Sequence, residues 1–158
     1  MKLNTFAISI IATIALLTAT SPALSADNYQ LPAEVMQGEI RYITGGIGLD
    51  EAAAFKQAAG RYGMELQFVQ KASPMDEFLS DVQVIVRTRS GTVVLDTTSQ
   101  GPYLLANMPA GRYNIEVNHK GMIKRHAVDM RAGKRERAVF VWPTDTEPEN
   151  RIQRSTAK

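Results

Sequence analysis

The 158-residue chain has no cysteine, only two histidines and no apolar run of membrane length after its first 26 residues. The absence of cysteine excludes disulfides, a thiol nucleophile and a lipid anchor on an N-terminal cysteine. His119 and His126 are too few for a multi-histidine metal site. The folded part must therefore be held by its hydrophobic core alone, and we expect neither a metal nor a disulfide.

The first 26 residues have the pattern of an export signal. Lys2 precedes an apolar run over residues 6–17, which is too short to span a bilayer as a helix. Pro22 then precedes small residues, and cleavage fits after either Ser25 or Ala26. The sequence predicts a signal peptide over residues 1–26 and an exported mature protein that does not span a membrane. The alternative is a retained N-terminal anchor.

Charge is unevenly distributed along the predicted mature chain. Residues 27–81 carry nine acidic and four basic side chains, whereas residues 82–142 carry ten basic and four acidic ones. One interpretation is that two solvated parts attract each other within the fold. The other is that the basic part binds lipid headgroups, acidic polysaccharide or an acidic protein.

The first half of the mature chain has a strand–helix–strand pattern. Residues 27–38 contain Pro32 and are predicted to be a linker. Residues 39–70 are predicted to form a β-α-β element, in which a glycine-rich turn over 45–48 precedes the helix. The carboxylates of Asp50 and Glu51 in its first turn favour the helix N-terminus.

The second half alternates apolar and polar residues in short runs separated by glycine and proline. This pattern predicts an antiparallel sandwich of six or seven strands over residues 77–142. Residues 143–158 have no apolar periodicity and are predicted to be a disordered tail. The expected fold class is therefore mainly β with one helix (α+β).

Three stretches of the second half carry a family resemblance: DVQVIVRTRSGTVVLDT from Asp81, GPYLLANMPAGRYNIEV from Gly101, and VFVWP at the end. They resemble the carboxypeptidase regulatory-like domain, a transthyretin-like (prealbumin-like) β-sandwich. With its N-terminal element the whole chain resembles small exported proteins of Gram-negative bacteria, which implies the periplasm. The resemblance implies a fold and no catalytic residue, because this module is an accessory in carboxypeptidases.

Motifs for catalysis or cofactor binding are incomplete. The sequence TGGIG over residues 44–48 lacks the full dinucleotide-binding spacing, and carboxylates next to it would repel a pyrophosphate. We interpret it as a tight turn and expect no cofactor. There is no serine-hydrolase elbow. The adjacent acid pairs Asp50/Glu51 and Asp76/Glu77 diverge and are interpreted as solvated surface.

The basic region near the end of the predicted sandwich is the remaining candidate site. Its residues are proposed to contact an anion or a partner: Lys120, Lys124, Arg125, His126, Arg135 and Arg137. The alternative is an edge strand that its charges protect from aggregation. Trp142 with Tyr103 or Tyr113 forms either a sugar-stacking platform or part of the core.

Together these observations predict a periplasmic, non-catalytic protein that binds or scaffolds in the cell envelope. The expected partner is an envelope protein or a glycan and not nucleic acid, because aromatic and basic residues do not alternate as in single-strand binders. Two alternatives remain. A carbohydrate-binding module would require exposed aromatic rings, and an unrecognised enzyme would require a cleft with at least two convergent titratable groups.

Overall fold

A computed structural model describes residues 30–144. This part of the chain forms ten strands and one α-helix in two sheets, which confirms the predicted mainly-β class with one helix. The elements are β1 (Val35–Gln37), β2 (Ile40–Gly45), α1 (Leu49–Ala58), β3 (Met64–Gln70), β4 (Glu77–Phe78), β5 (Gln83–Thr88), β6 (Val93–Thr98), β7 (Tyr103–Asn107), β8 (Gly111–His119), β9 (Met122–Met130) and β10 (Glu136–Trp142).

The first sheet, called sheet A, has the strand order β1-β2-β7-β3-β10. β7 is antiparallel to both β2 and β3, whereas β10 runs parallel to β3. The two-residue strand β4 pairs with the end of β3 at Val69 and Gln70. Sheet A therefore combines strands from both halves of the chain.

The second sheet, called sheet B, is antiparallel with the order β6-β5-β8-β9. The alternation predicted for its strands is present: Val84, Val86, Ile115 and Val117 are buried. They face the inner side chains of sheet A, such as Leu66, and form the main core between the sheets. In β9 the buried residues are Val128 and Met130, which are two positions apart and share the inner face of the strand.

A second core lies on the outer face of sheet A, under α1. Phe55 and Ala58 of the helix pack against Ile43 of β2 and Tyr103 and Leu105 of β7. Phe55 and Tyr103 are stacked with ring centroids 6.0 Å apart. The helix thus covers the β2–β7 half of this face and leaves the β3–β10 half without a covering helix.

The strand, helix and strand predicted over 39–70 occur in that order, but β2 and β3 are not hydrogen-bonded to each other. β7, from the second half of the chain, lies between them. The sandwich over 77–142 is also not a separate antiparallel unit, because β7 and β10 belong to sheet A and β10 is parallel to β3. The N-terminal strands and the later strands share one sheet.

Two local expectations differ from the structure. The region 27–38, predicted to be a linker, includes the short strand β1, which turns at Gly38 and pairs with β2. In β6, the two-residue alternation of a strand predicts that Val93 and Leu95 share a face, but Val93 is exposed and Leu95 is buried. The pairing with β5 explains this: Val86 lies opposite Leu95 but Arg87 lies opposite Val93, so Val94 is an extra residue that reverses the alternation within β6. The predicted signal peptide and most of the predicted tail lie outside the described residues.

The glycine-rich turn between β2 and α1 fits tightly against its neighbours, as expected for a structural turn. A Cβ on Gly45 would meet the Glu51 carboxylate and the Phe55 ring, and one on Gly46 would meet the Tyr103 ring. Gly46 also has φ of +95°, which disfavours other residues. The Glu51 carboxylate accepts a hydrogen bond from the Ile47 amide at 3.0 Å. These contacts fix the turn between its strand and its helix.

Tyr62 provides a pH-dependent contact between the N-terminal arm and the end of the helical segment. Its hydroxyl donates a hydrogen bond to the Glu34 carboxylate at 2.8 Å. Burial, and then this hydrogen bond, raise the pKa of Tyr62 to about 12. Because the folded-state pKa lies above the ordinary value, the contribution to stability is complete below pH 10 and is lost as the pH rises through 12.

Between pH 9 and pH 12 we therefore expect the free energy of unfolding to fall by about 2 kcal/mol more in the wild-type protein than in Tyr62→Phe. Phenylalanine keeps the buried ring and removes the titrating hydroxyl. Urea denaturation followed by far-UV circular dichroism at each pH measures the difference. Equal pH dependence in the two proteins would show that the Tyr62 hydroxyl has an ordinary pKa.

Candidate basic groove

The free edges of the two sheets meet along β9 and β10. The Trp142 indole N–H donates to the Met122 carbonyl at 3.0 Å, and the His126 ring lies edge-on to Phe140 with centroids 6.4 Å apart. A groove of about 580 Å³ runs between the two strands. We call it the β9–β10 groove; its lining consists of Lys124, Arg125, His126, Arg137, Ala138, Val139, Phe140 and Val141.

The charged residues that line this groove are all basic. Lys124 lies over the Trp142 ring, with its ammonium nitrogen 5.9 Å from the ring centroid, and no carboxylate pairs with it within residues 30–144. Arg125 bonds the Glu116 carboxylate on the neighbouring strand at 2.7 Å. The groove therefore presents an excess of positive charge next to apolar side chains.

Glu65 of β3 neutralises only part of the charge on β10. Its carboxylate is nearly buried and lies 3.2 Å from the Arg137 guanidinium and 3.5 Å from that of Arg135. Arg137 also donates to the Gln67 side chain at 3.0 Å. Because one carboxylate serves two arginines, this end of β10 keeps a net positive charge.

β10 also offers backbone hydrogen-bonding groups at its free edge. The Glu136 amide donates to Gly63, and the Trp142 carbonyl accepts from Lys71, so the even-numbered residues of β10 face β3. The N–H and C=O groups of Arg137, Val139 and Val141 consequently point away from β3. Within the described part of the chain no strand pairs with this edge. Val139 and Val141 also have exposed side chains.

The structure brings four of the six predicted contact residues to the groove: Lys124, Arg125, His126 and Arg137. Lys120 lies in the β8–β9 turn with a φ of +49°, and Arg135 precedes β10 and contacts Glu65, so neither lines the groove. Arg137 belongs to β10 of sheet A, whereas the other three groove residues belong to β9 of sheet B. β9 is also an edge strand, as the alternative interpretation of its charges requires.

The acid pairs considered for catalysis have other contacts. Glu51 caps the Ile47 amide, and Asp50 is exposed. Asp76 lies 2.7 Å from the Lys71 ammonium, and this hydrogen bond lowers the pKa of the Asp76 carboxyl. Glu77 is exposed on β4. Each pair is at the surface, as the sequence predicted, and no group of three or more potential metal ligands occurs between residues 30 and 144.

The aromatic rings proposed for sugar stacking are buried. Trp142 and Tyr103 lie in the two cores, and the Tyr113 hydroxyl donates to the Pro109 carbonyl at 3.0 Å. Burial raises the pKa of Tyr103 and Tyr113. Of the two alternatives given for these rings, the structure shows the core one: Trp142 packs against Phe68 and Phe140 inside the sandwich.

Sequence reasoning missed the role of Glu65, Val139 and Val141. Glu65 occupies a polar position in the alternation of β3, so no local signal in the sequence indicates that its side chain is buried. The exposed valines follow the alternation, but their position at a free edge depends on the pairing of β10 with β3. This pairing joins distant parts of the chain: Val139 lies opposite Gln67, which is 72 residues earlier.

No model of a protein family, curated protein or solved structure matches this chain. In the described range no helix is both long and apolar enough to cross a bilayer.

Proposed function

We propose that this chain is a non-catalytic binding or scaffolding protein of the bacterial periplasm, and that its β9–β10 groove binds an acidic, extended segment of an envelope protein. The main support for this proposal is that a single groove combines an unpaired strand edge with positive charge. Lys124 and Arg137 supply the charge, and the outward backbone groups of β10 supply hydrogen bonds. The predicted leader supports the periplasmic assignment.

A polypeptide fits this groove better than a glycan does. An added strand presents alternating N–H and C=O groups at the spacing that Arg137, Val139 and Val141 leave unpaired. Its side chains on one face would meet the exposed valines, and its carboxylates would meet the cations of the groove. A sugar chain lacks this backbone repeat, and the three rings considered for sugar stacking, Trp142, Tyr103 and Tyr113, are buried.

The fold supports a scaffold role in a second way. Both proposed contact strands are anchored by the core, through Val128 and Met130 in β9 and through Phe140 and Trp142 in β10. The two strands are thus fixed in position before a partner arrives, which reduces the entropic cost of binding. Membership of the regulatory-like β-sandwich family is part of the same proposal and is supported by the three sequence stretches described above.

The proposal is tested by titrating the mature protein with a ten-residue peptide of alternating glutamate and threonine. We expect the double variant Lys124→Gln/Arg137→Gln to bind about tenfold more weakly, because two charges next to the ligand are removed. Isothermal titration calorimetry at low salt and at about 0.3 M salt measures the affinity. Binding should weaken with salt, because counterions screen exposed charges.

The matched control is Arg41→Gln/Lys71→Gln, which removes two charges outside the groove and should leave the affinity unchanged. A peptide with glutamine in place of glutamate should bind poorly. If the control variant weakens binding as much as the groove variant, the site assignment fails. If an acidic polysaccharide binds more tightly than the peptide, the polypeptide assignment fails.

A further inference from the structure

Four large apolar side chains are exposed at one end of sheet A. None of them belongs to β9 or β10, the strands that form the groove described above. Leu49 is 90% exposed, Met75 78%, Ile47 63% and Phe78 58%. They lie in the segments that follow β2 and β3: Ile47 in the turn before α1, Leu49 at the start of α1, Met75 in the loop before β4, and Phe78 in β4. β2 and β3 run in the same direction, because β7 is antiparallel to both, so the two segments leave the same end of sheet A. Such a cluster costs solvation free energy in an isolated protein and marks a binding surface.

Three of these side chains line a cleft of about 510 Å³ between the start of α1 and β4. Its wall on the helix is one stripe with three- and four-residue spacing: Leu49, Ala52, Ala53 and Lys56. The opposite wall consists of Phe78, Ser80 and Pro102, and the glycine-rich turn closes one end. The two alanines leave room that a larger helix residue would fill.

Contacts within the folded protein hold the walls of the cleft in place. The Gly46 backbone packs on the Tyr103 ring, and the Ile47 amide is bonded to the Glu51 carboxylate. The Phe78 ring lies 6.3 Å from the Tyr103 ring, centroid to centroid. The cleft is therefore formed without a ligand, and its size is in the range of small-molecule sites, about 300–1,000 Å³.

The lining contains one charged side chain, that of Lys56. Within residues 30–144 no carboxylate lies close enough to form an ion pair with it. The nearby Glu51 carboxylate bonds the Ile47 amide, and Asp50 does not line the cleft. A ligand that fills this space would thus meet apolar walls and a single ammonium group at the rim.

We propose that the cleft binds a single-chain aliphatic amphiphile with an anionic head, such as a fatty acid. The alkyl chain would lie between Leu49, Ala53 and Phe78, and the head would pair with the Lys56 ammonium. Charge complementarity favours this class over an aliphatic amine, which Lys56 would repel. The inference does not depend on the function proposed for the groove, because no residue is shared between the two sites.

Calorimetric titration of the mature protein with hexanoate, octanoate and decanoate tests the proposal. We expect affinity to rise about fourfold per added methylene group while the chain still fits the cleft. Octanol and octylamine, at the same length, should bind more weakly than octanoate. Lys56→Gln should weaken octanoate binding about fivefold and leave octanol binding unchanged, because only the head contact is lost.

Two further variants identify the cleft itself. Ala53→Phe fills the cleft from an exposed helix position and should abolish binding, with folding verified by circular dichroism. Lys134→Gln removes an ammonium on another part of the surface and should change nothing. Unchanged binding in Ala53→Phe, tighter binding of octylamine than of octanoate, or no binding of decanoate at millimolar concentration would each overturn the proposal.

Discussion

Replacing Trp142 with alanine is expected to lower the free energy of unfolding by about 3–5 kcal/mol. The indole is fully buried and packs against Phe68 and Phe140, with centroids 6.4 and 6.3 Å away. It also joins the two sheets, because its N–H donates to the Met122 carbonyl in sheet B. The substitution leaves a cavity and removes this hydrogen bond between the two sheets.

Urea denaturation followed by far-UV circular dichroism measures this change, since the variant lacks the only tryptophan of the chain. The matched control is Val141→Ala on the same strand, whose side chain is partly exposed on the outer face. It should cost about 1 kcal/mol or less. Similar losses in the two variants would mean that Trp142 does not join the sheets.

Gly101→Ala is expected to cost about 2–3 kcal/mol for a different reason. A Cβ at this position would overlap the backbone carbonyl of Gly45, where β2 ends beside the start of β7. Backbone atoms cannot rotate out of the way as a side chain does. The glycine-rich turn after β2 would have to move, and the end of the apolar cleft that this turn closes would move with it.

The control is Gly60→Ala in the short 3₁₀ turn Ala59–Arg61, where an added Cβ meets nothing within 4 Å. This substitution should be neutral or slightly stabilising, because alanine restricts the unfolded chain. Thermal unfolding of the two variants separates the effects. If Gly101→Ala is as stable as Gly60→Ala, the β2 and β7 ends do not approach each other as described.

The faces of most strands could be predicted from the sequence, because alternation is a local property. The side chains of Val84, Ile115 and Phe140 point into the core, in accord with the two-residue alternation along their strands. The helix was predictable from its spacing and its acidic first turn. The exception at Val93 arises from a bulge that alternation does not show.

The pairing of strands could not be predicted in the same way. β7 separates β2 from β3, and β10 pairs with β3, so the first sheet depends on contacts between distant parts of the chain. A local pattern does not distinguish a β-α-β unit with adjacent strands from one with an inserted strand. The family resemblance predicted from residues 81–142 would cover only the later strands and would leave their partners in the first half undefined.

The basic residues of the candidate site could be predicted from the sequence, but the groove that they line could not. Lys124, Arg125 and His126 are conspicuous in the sequence, but their position opposite Arg137 requires the two sheet edges to meet. The apolar cleft left still less signal, because Leu49 and Phe78 resemble core residues until the fold shows them exposed.

Amide hydrogen exchange on β10 tests the groove proposal most directly. Without a ligand, the amides of Arg137, Val139 and Val141 should exchange faster than those of Ala138, Phe140 and Trp142, which face β3. Saturating acidic peptide should slow the first set by at least about tenfold and leave the second set unchanged. Peptide binding without protection of Arg137, Val139 and Val141 would contradict the addition of a strand to this edge.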